Sequence, residues 1–448
     1  MQYKTQYDKM TQMPVSRLVL QLGLPTTISM MVTTFYSMAD TFFVGKLGTS
    51  ATGAIGVVFP LMGIIQAIGF MFGHGCGSFI SRLLGAKEND QASDFASTAF
   101  FIALGCGLVM SMLGLVFTDP LMRLLGSSET ILPYARTYGI FILCGIPAMM
   151  TSFVMNNILR FEGRASLAMI GLVLGGLLNV VGDWFTISVL GTGIEGVGIS
   201  TMLSNYVSMG LLLSMFLRKK TITRLQLRRL HDAGKRVGRI ILTGLPSLAR
   251  QGMSAAGTLS MNILAKPYGD AAIAAMSIVM RISFMMFAIG LGIGQGFQPV
   301  CGFNYGAKRY DRVRGAAYFT LFFAAGMMAA VSAIVWFFTP DLIGLFRDDP
   351  DVVRIGVPAM HYQLLSLVLV PISFIGNMLF QSIGKSGRAL FLSCLRNGIC
   401  YIPVLFLLVP MIGLLGIQIA QPISDALTAI ITLPFFLTFL HKIAGKTE

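Results

Sequence analysis

Gly23-Leu24-Pro25 stands again as Gly244-Leu245-Pro246, and Gly85-Ala86-Lys87 stands again as Gly306-Ala307-Lys308. Both repeats fall at a shift of 221 positions, and the landmarks between them keep that register without a gap. Gly48, Ala51 and Ala54 map onto Gly269, Ala272 and Ala275. Gly69, Gly73 and Gly75 map onto Gly290, Gly294 and Gly296. Asn156 maps onto Asn377 and Gly163 onto Gly384; one residue is then lost, and Gly193 meets Gly413. The chain is therefore a tandem repeat of two apolar halves. Such halves are a common basis for carriers, which place a ligand between two similar bundles.

Composition names the solvent. Apolar residues make up 55% of the chain and charged residues 12%, with a mean hydropathy of +0.76, whereas a soluble domain carries about 25% charged residues. So few charges cannot cover a surface in water, which leaves a bilayer. Twelve apolar runs are long enough to cross it, roughly 15–38, 51–76, 92–117, 132–154, 166–190, 195–217, 237–260, 272–297, 314–338, 355–380, 389–411 and 415–440. The expected fold is an all-α polytopic membrane protein of twelve transmembrane helices in two six-helix lobes. Six spans per half is an even number, so the repeat is parallel. The lobes are expected at 1–217 and 240–448, joined by a connector at 218–239.

That connector holds nine Lys/Arg against one acid, Asp232, and so accounts for more than half of the net charge of +14. The charge is a topology signal and not a nucleic-acid signature. Lys and Arg gather in the connectors after even-numbered spans, which places both termini in the cytosol of a multi-pass protein of the bacterial cytoplasmic (inner) membrane. An interfacial helix at 225–230 gripping anionic lipid is a compatible second reading. The first fourteen residues lack an apolar h-region and read as a cytosolic tail. Six scattered cysteines and four histidines give no disulfide framework and no zinc spacing. No resident cofactor, metal or nucleic-acid partner is expected, and the state expected is a monomer in the lipid bilayer.

Charges inside spans carry the chemistry, since each costs at least about 2.5 kcal/mol at mid-span. Asp183 stands one helical turn after Asn179 on span 5, Thr201 lies on span 6, and Tyr36 and Asp40 lie on span 1. Asn156 and Asn157 lie on span 4. Under the repeat, Asp40, Asn179, Asp183 and Thr201 become Met261, Cys400, Val404 and Gln421. The scaffold was duplicated, but this acidic site was not kept in both copies. Desolvation favours the neutral form of a carboxylate, so an acid placed there can take up and release a proton as its surroundings change. Carboxylates with Asn and Thr oxygens equally suit sodium, so the coupling ion reads as H⁺ or Na⁺. Arg281 on span 8 is expected either to pair with Asp425 or to line a substrate cavity with Tyr36, Asn156, Met149 and Met280. Flexible thioethers suit varied apolar ligands. Pro25 and Pro246 should kink spans 1 and 7, with Pro25 as a hinge.

These residues carry a resemblance. Met38-Ala39-Asp40-Thr41-Phe42-Phe43-Val44-Gly45, then Leu84-Gly85-Ala86-Lys87, then Gln298-Pro299 followed by Asn304-Tyr305-Gly306-Ala307, are similar to the multidrug and toxic compound extrusion (MATE) transporters. Within that family the chain resembles the bacterial DinF/MepA-like branch. The resemblance implies a non-enzymatic antiporter that exports small organic, often cationic, drugs or xenobiotics against inward H⁺ or Na⁺. It also implies an ion site at Asp40, Asn179, Asp183 and Thr201, with Asn157 beside it. The acid that some branches carry in span 7 is missing here, because no Asp or Glu occurs between Arg239 and Pro267. The alternative on the same scaffold is a flippase for a lipid-linked or amphipathic metabolite, which calls for several basic groups in the cavity. A membrane-embedded enzyme would need a catalytic constellation that the sequence does not offer.

Overall fold

Long apolar runs without water must satisfy their backbone internally, and this chain does so by helix throughout. The computed structural model describes residues 5–45, 47–347 and 349–445; the side chains of 36–42, 45 and 49 lie outside the described residues. The first half supplies spans 1 (Val15–Gly45), 2 (Thr49–Gly85), 3 (Asn89–Val116), 4 (Leu132–Phe161), 5 (Ala165–Trp184, running into a π-helical turn at Phe185–Val189) and 6 (Gly193–Leu217). The second supplies spans 7 (Ala233–Ala265), 8 (Asp270–Gly306), 9 (Tyr310–Phe346), 10 (Pro350–Leu367 with Val370–Ser382), 11 (Ser386–Cys394, a π-helical turn Leu395–Ile399, then Tyr401–Ile412) and 12 (Leu414–Ala444).

Among the described residues, ten helices are long and apolar enough to cross a membrane alone. Span 10 qualifies as a pair of helices bent by 49°. Pro371 stands at the start of its second piece, where a missing N–H breaks the ladder. Span 7 completes the twelve; it is long enough, but Lys235, Arg236, Arg239 and Arg250 make it more polar than its neighbours. Spans 1 and 7 run as continuous helices through Pro25 and Pro246.

The backbone repeats as faithfully as the sequence. Lys87 and Lys308 both adopt positive φ, at 65° and 58°, and Gly163 and Gly384 match at 81° and 80°. The Asn156 amide donates to Ala168 O at 2.9 Å, and Asn377 donates to Ala389 O at 2.5 Å, so the same clamp closes the same corner twice.

Two compact units result: Met1–Thr27 with Leu245–Glu448, and Ile28–Gly244. The boundaries fall inside spans 1 and 7, two residues after Pro25 and two residues before Pro246. In the unit Ile28–Gly244, span 4 is the most buried and packs against spans 2, 3 and 6. The start of span 7 lies against span 2 so closely that a Cβ on Gly75 would sit 2.1 Å from Ile240 O. A Cβ on Gly244 would sit 1.8 Å from Met71 O. In the other unit the start of span 1 meets span 8 in the same way: a Cβ on Gly296 would sit 2.3 Å from Gly23 N. Thr27 then reaches Ile289 O at 3.4 Å. The N-terminal helix Gln6–Gln12 belongs to this unit as well, held by Asn304 on Met10 O at 3.2 Å and by Arg312 on Met13 O at 2.6 Å.

The basic connector is strapped to its unit rather than laid out as an interfacial helix. Before span 7 begins at Ala233 it forms a single 3₁₀ turn, Leu227–Leu230. Arg229 pairs with Asp90 and Asp94 at 2.9 Å each, and Ser97 donates to Arg224 O at 2.9 Å. Glu162, fully buried at the end of span 4, accepts from the backbone N–H of Ile222 at 3.0 Å and of Thr223 at 2.8 Å, and from the Thr223 hydroxyl. Burial raises the pKa of this carboxyl, against the pull of those hydrogen bonds and of Arg164.

These crossings carry a prediction. Gly75→Val and Gly296→Val force backbone apart from backbone and should each cost about 1–3 kcal/mol or more. The repeat supplies a matched control, since Gly105 and Gly326 have nothing within 4 Å of an added Cβ. Thermal midpoints in detergent should fall for the first pair of variants and hold for Gly105→Ala and Gly326→Ala.

Candidate functional site

Spans 5 and 6 meet along small residues. Gly171, Gly175 and Gly182 share one face of span 5 by their spacing of four and seven. Added Cβ atoms there would press on Leu212, Ser208 and Ser200 of span 6, to within 2.2 Å in the case of Ser200 Oγ. That close approach brings Asn179 and Asp183 against span 6. The Asn179 amide donates to Thr201 Oγ1 at 3.1 Å, and Ser200 Oγ donates to Asn179 O at 3.2 Å. Thr201 in turn donates to Val197 O at 3.0 Å, which fixes its hydroxyl as the acceptor for Asn179. Asp183 is 0% exposed and Asn179 is 4% exposed. The π-helical turn Phe185–Val189 begins two residues after Asp183, and Thr186 donates to Asp183 O at 3.3 Å. π turns inside helices often mark functional positions.

Of the residues expected at this site, the structure ties Asn179 to Thr201, and Asp183 is buried one turn further along span 5. The side chains of Asp40 and Tyr36 lie outside the described residues. Asn157 is buried on span 4, donating to Phe153 O at 2.7 Å and accepting from Arg160 at 2.5 Å, so its hydrogen bonds stay on its own helix. Asn156 is engaged in the corner clamp described above. Met149 and Met280 are half-buried.

A second polar cluster lies in the other unit, and it corrects an expectation. Asp425 does not pair with Arg281, which is exposed and makes no hydrogen bond or ion pair among the described residues. Its partner is Arg396, whose Nε donates to Asp425 Oδ1 at 2.8 Å. Asp425 also accepts from Gln363 Nε2, Ser366 Oγ and Gln421 Nε2, each at 3.0 Å. Arg396 belongs to the π-helical turn of span 11, and Ser424 caps its carbonyl at 2.5 Å. A guanidinium seven residues into a span, with a carboxylate at mid-span next door, was the signal that would have found this pair.

A profile of the MatE family matches residues 25–185 and 246–407, one match in each half. The chain belongs to the MatE family. MatE proteins are multidrug efflux transporters, and this chain is a multi-pass membrane protein of that class. It is similar to the multidrug export protein MepA of Staphylococcus saprophyticus, 25% identical over 413 residues that cover 92% of this chain and 91% of that one. Among solved structures, a MATE transporter in the straight conformation matches with 26% identity and a TM-score of 0.93, covering 99% of this chain and 100% of that chain. A MATE transporter in the bent conformation matches with 26% identity and a TM-score of 0.92, covering 99% of each chain. These solved MATE structures bear out the twelve-helix, two-lobe fold expected from the repeat.

The second cluster carries its own prediction. Removing one partner of a buried pair costs about 3–5 kcal/mol, because the other charge stays behind. Asp425 is 0% exposed and Arg396 is 20% exposed, so the acid has less access to compensating water. Arg396→Ala should therefore lower the thermal midpoint more than Asp425→Ala. The joint replacement Arg396→Gln with Asp425→Asn should recover most of the loss.

Proposed function

We propose that this protein is an antiporter that exports organic, often cationic, drugs or xenobiotics in exchange for H⁺ or Na⁺, with the coupling site at Asp40, Asp183, Asn179 and Thr201. One observation carries the reading: a fully buried carboxylate one turn from an Asn that is tied to a Thr, in one half only of a duplicated scaffold. The second half holds Val404, Cys400 and Gln421 at the matching positions. A group needed for packing alone has no reason to differ between halves that otherwise repeat their clamps and turns. On this reading residues 1–217 and 240–448 act as two functional lobes, and the Lys/Arg asymmetry supports a cytoplasmic membrane with both termini in the cytosol.

Ion uptake has a mechanical partner in span 1. Pro25 removes one backbone hydrogen bond from the helix that also carries Asp40, which makes bending cheap at that point. Occupation of the Asp40–Asp183 site favours a bent span 1 and weakens substrate binding; similar transporters adopt straight and bent conformations. Linkage makes the antagonism mutual.

The test is transport into inside-out vesicles from a pump-deficient bacterium, with ethidium as substrate and an imposed pH or sodium gradient. The wild type should accumulate ethidium when the gradient of its coupling ion is applied. Asp183→Asn, nearly isosteric, should fold and insert normally yet lose gradient-driven uptake. Uptake by Asp183→Asn at the wild-type rate would show that coupling lies elsewhere.

A further inference from the structure

The Arg396–Asp425 pair is not used by the coupling site, and its geometry is lopsided. Asp425 is saturated with four donors. Arg396 is not. It gives only Nε to the carboxylate; Nη1 and Nη2 make no hydrogen bond among the described residues, and the side chain keeps 20% of its surface accessible. Phe287 of span 8 lies under the guanidinium, 5.0 Å from its carbon to the ring centroid. The helices around Arg396 are those of its own unit. Spans 8 and 12 bear directly on the guanidinium, span 10 reaches it through Asp425, and span 7 backs onto the neighbouring Asn397, whose carbonyl O would lie 2.9 Å from a Cβ on Gly257. A guanidinium turned toward lipid would be costly.

A guanidinium presents two edges suited to a carboxylate, one of them the Nη1/Nη2 end. Asp425 holds the other side through Nε and fixes the plane, so the free end is aimed and pre-organised. The aromatic ring beneath adds a stacking face. The π-helical turn re-aims this residue within an otherwise regular span.

We propose that Arg396 is a specificity-determining residue that receives the carboxylate of aromatic organic acids and zwitterions, with Asp425 as its positioning partner and Phe287 as the stacking surface. The proposal rests on the export reading above and deepens it: Arg396 is the residue that tells aromatic substrates bearing a carboxylate from those without one. A purely structural ion pair would neutralise Asp425 equally well but would show no preference for an acid over its ester.

That difference is the test. The probes are a rhodamine dye with a free benzoic acid and the methyl ester of the same dye, which share one cationic ring system. Binding to purified full-length protein in detergent is read by fluorescence polarisation. The wild type should bind the acid about tenfold more tightly than the ester, as expected for a charge-assisted hydrogen-bonded contact. Arg396→Gln with Asp425→Asn removes both charges without stranding either; it should bind the ester as the wild type does and lose the preference. Should that variant fail to fold, Arg396→Lys decides, because it keeps the charge and loses the fork, and the preference should fall several-fold. Equal wild-type affinity for acid and ester overturns the proposal, as does a preference that survives these substitutions. Binding of neither dye to the wild type would instead bring down the export reading, and this proposal with it.

Discussion

Backbone against backbone, without intervening side chains, is the contact on which the rest of this structure depends. Its tightest instances among the described residues are where Gly23 meets Gly296 and where Gly244 and Gly75 bring spans 7 and 2 together. In lipid, helices gain little from hydrophobicity and associate through close packing, which small residues permit. Each crossing binds the first turns of one span to a helix from the other half of the sequence. The compact units therefore cut across the sequence repeat, at Thr27 and at Gly244. Both cuts lie beside the one backbone hydrogen bond that proline removes.

On this shared frame the two halves hold different chemistry. The first half places a buried Asp183 one turn from Asn179 on span 5, with Asn179 tied to Thr201 of span 6. The second half replaces these residues with Cys400, Gln421 and Val404 and carries its acid on span 12 instead, at Asp425, four residues after Gln421. There the acid is neutralised from within by Arg396. Duplicating a scaffold copies its corners and crossings, because those are packing requirements. Polar sites diverge freely as long as each buried group finds a partner. The divergence is thus the part of the comparison that speaks to function.

Much of this was legible in the sequence, and the reason is period. Glycines at a constant shift, runs near the length of a bilayer and Lys/Arg alternation are all one-dimensional signals, and the fold follows them. Asn179, Asp183 and Thr201 were legible as a group because a one-turn spacing and adjacent spans suffice to join them. The Arg396–Asp425 pair was misassigned, since Arg281 was an equally buried-looking cation and nothing in the spacing ranks spans 8 and 11 as neighbours of span 12. The second reading of the connector fails for a similar reason: Leu and Arg at 224–230 suit an interfacial helix, but Asp90, Asp94 and Glu162 hold the segment along the ends of spans 3 and 4. Long-range pairing decides such segments, and their own sequence does not contain it.

The central claim is that one acidic site, in one half, links ion and substrate through a single two-state element. Its most direct test is the count of protons or sodium ions released when substrate binds. Purified protein in weakly buffered solution, with a pH indicator or radioactive sodium present, should release its ion on addition of ethidium, and the release should vanish in Asp183→Asn. Wild-type binding with release of neither ion, or equal release from Asp183→Asn, would contradict the account.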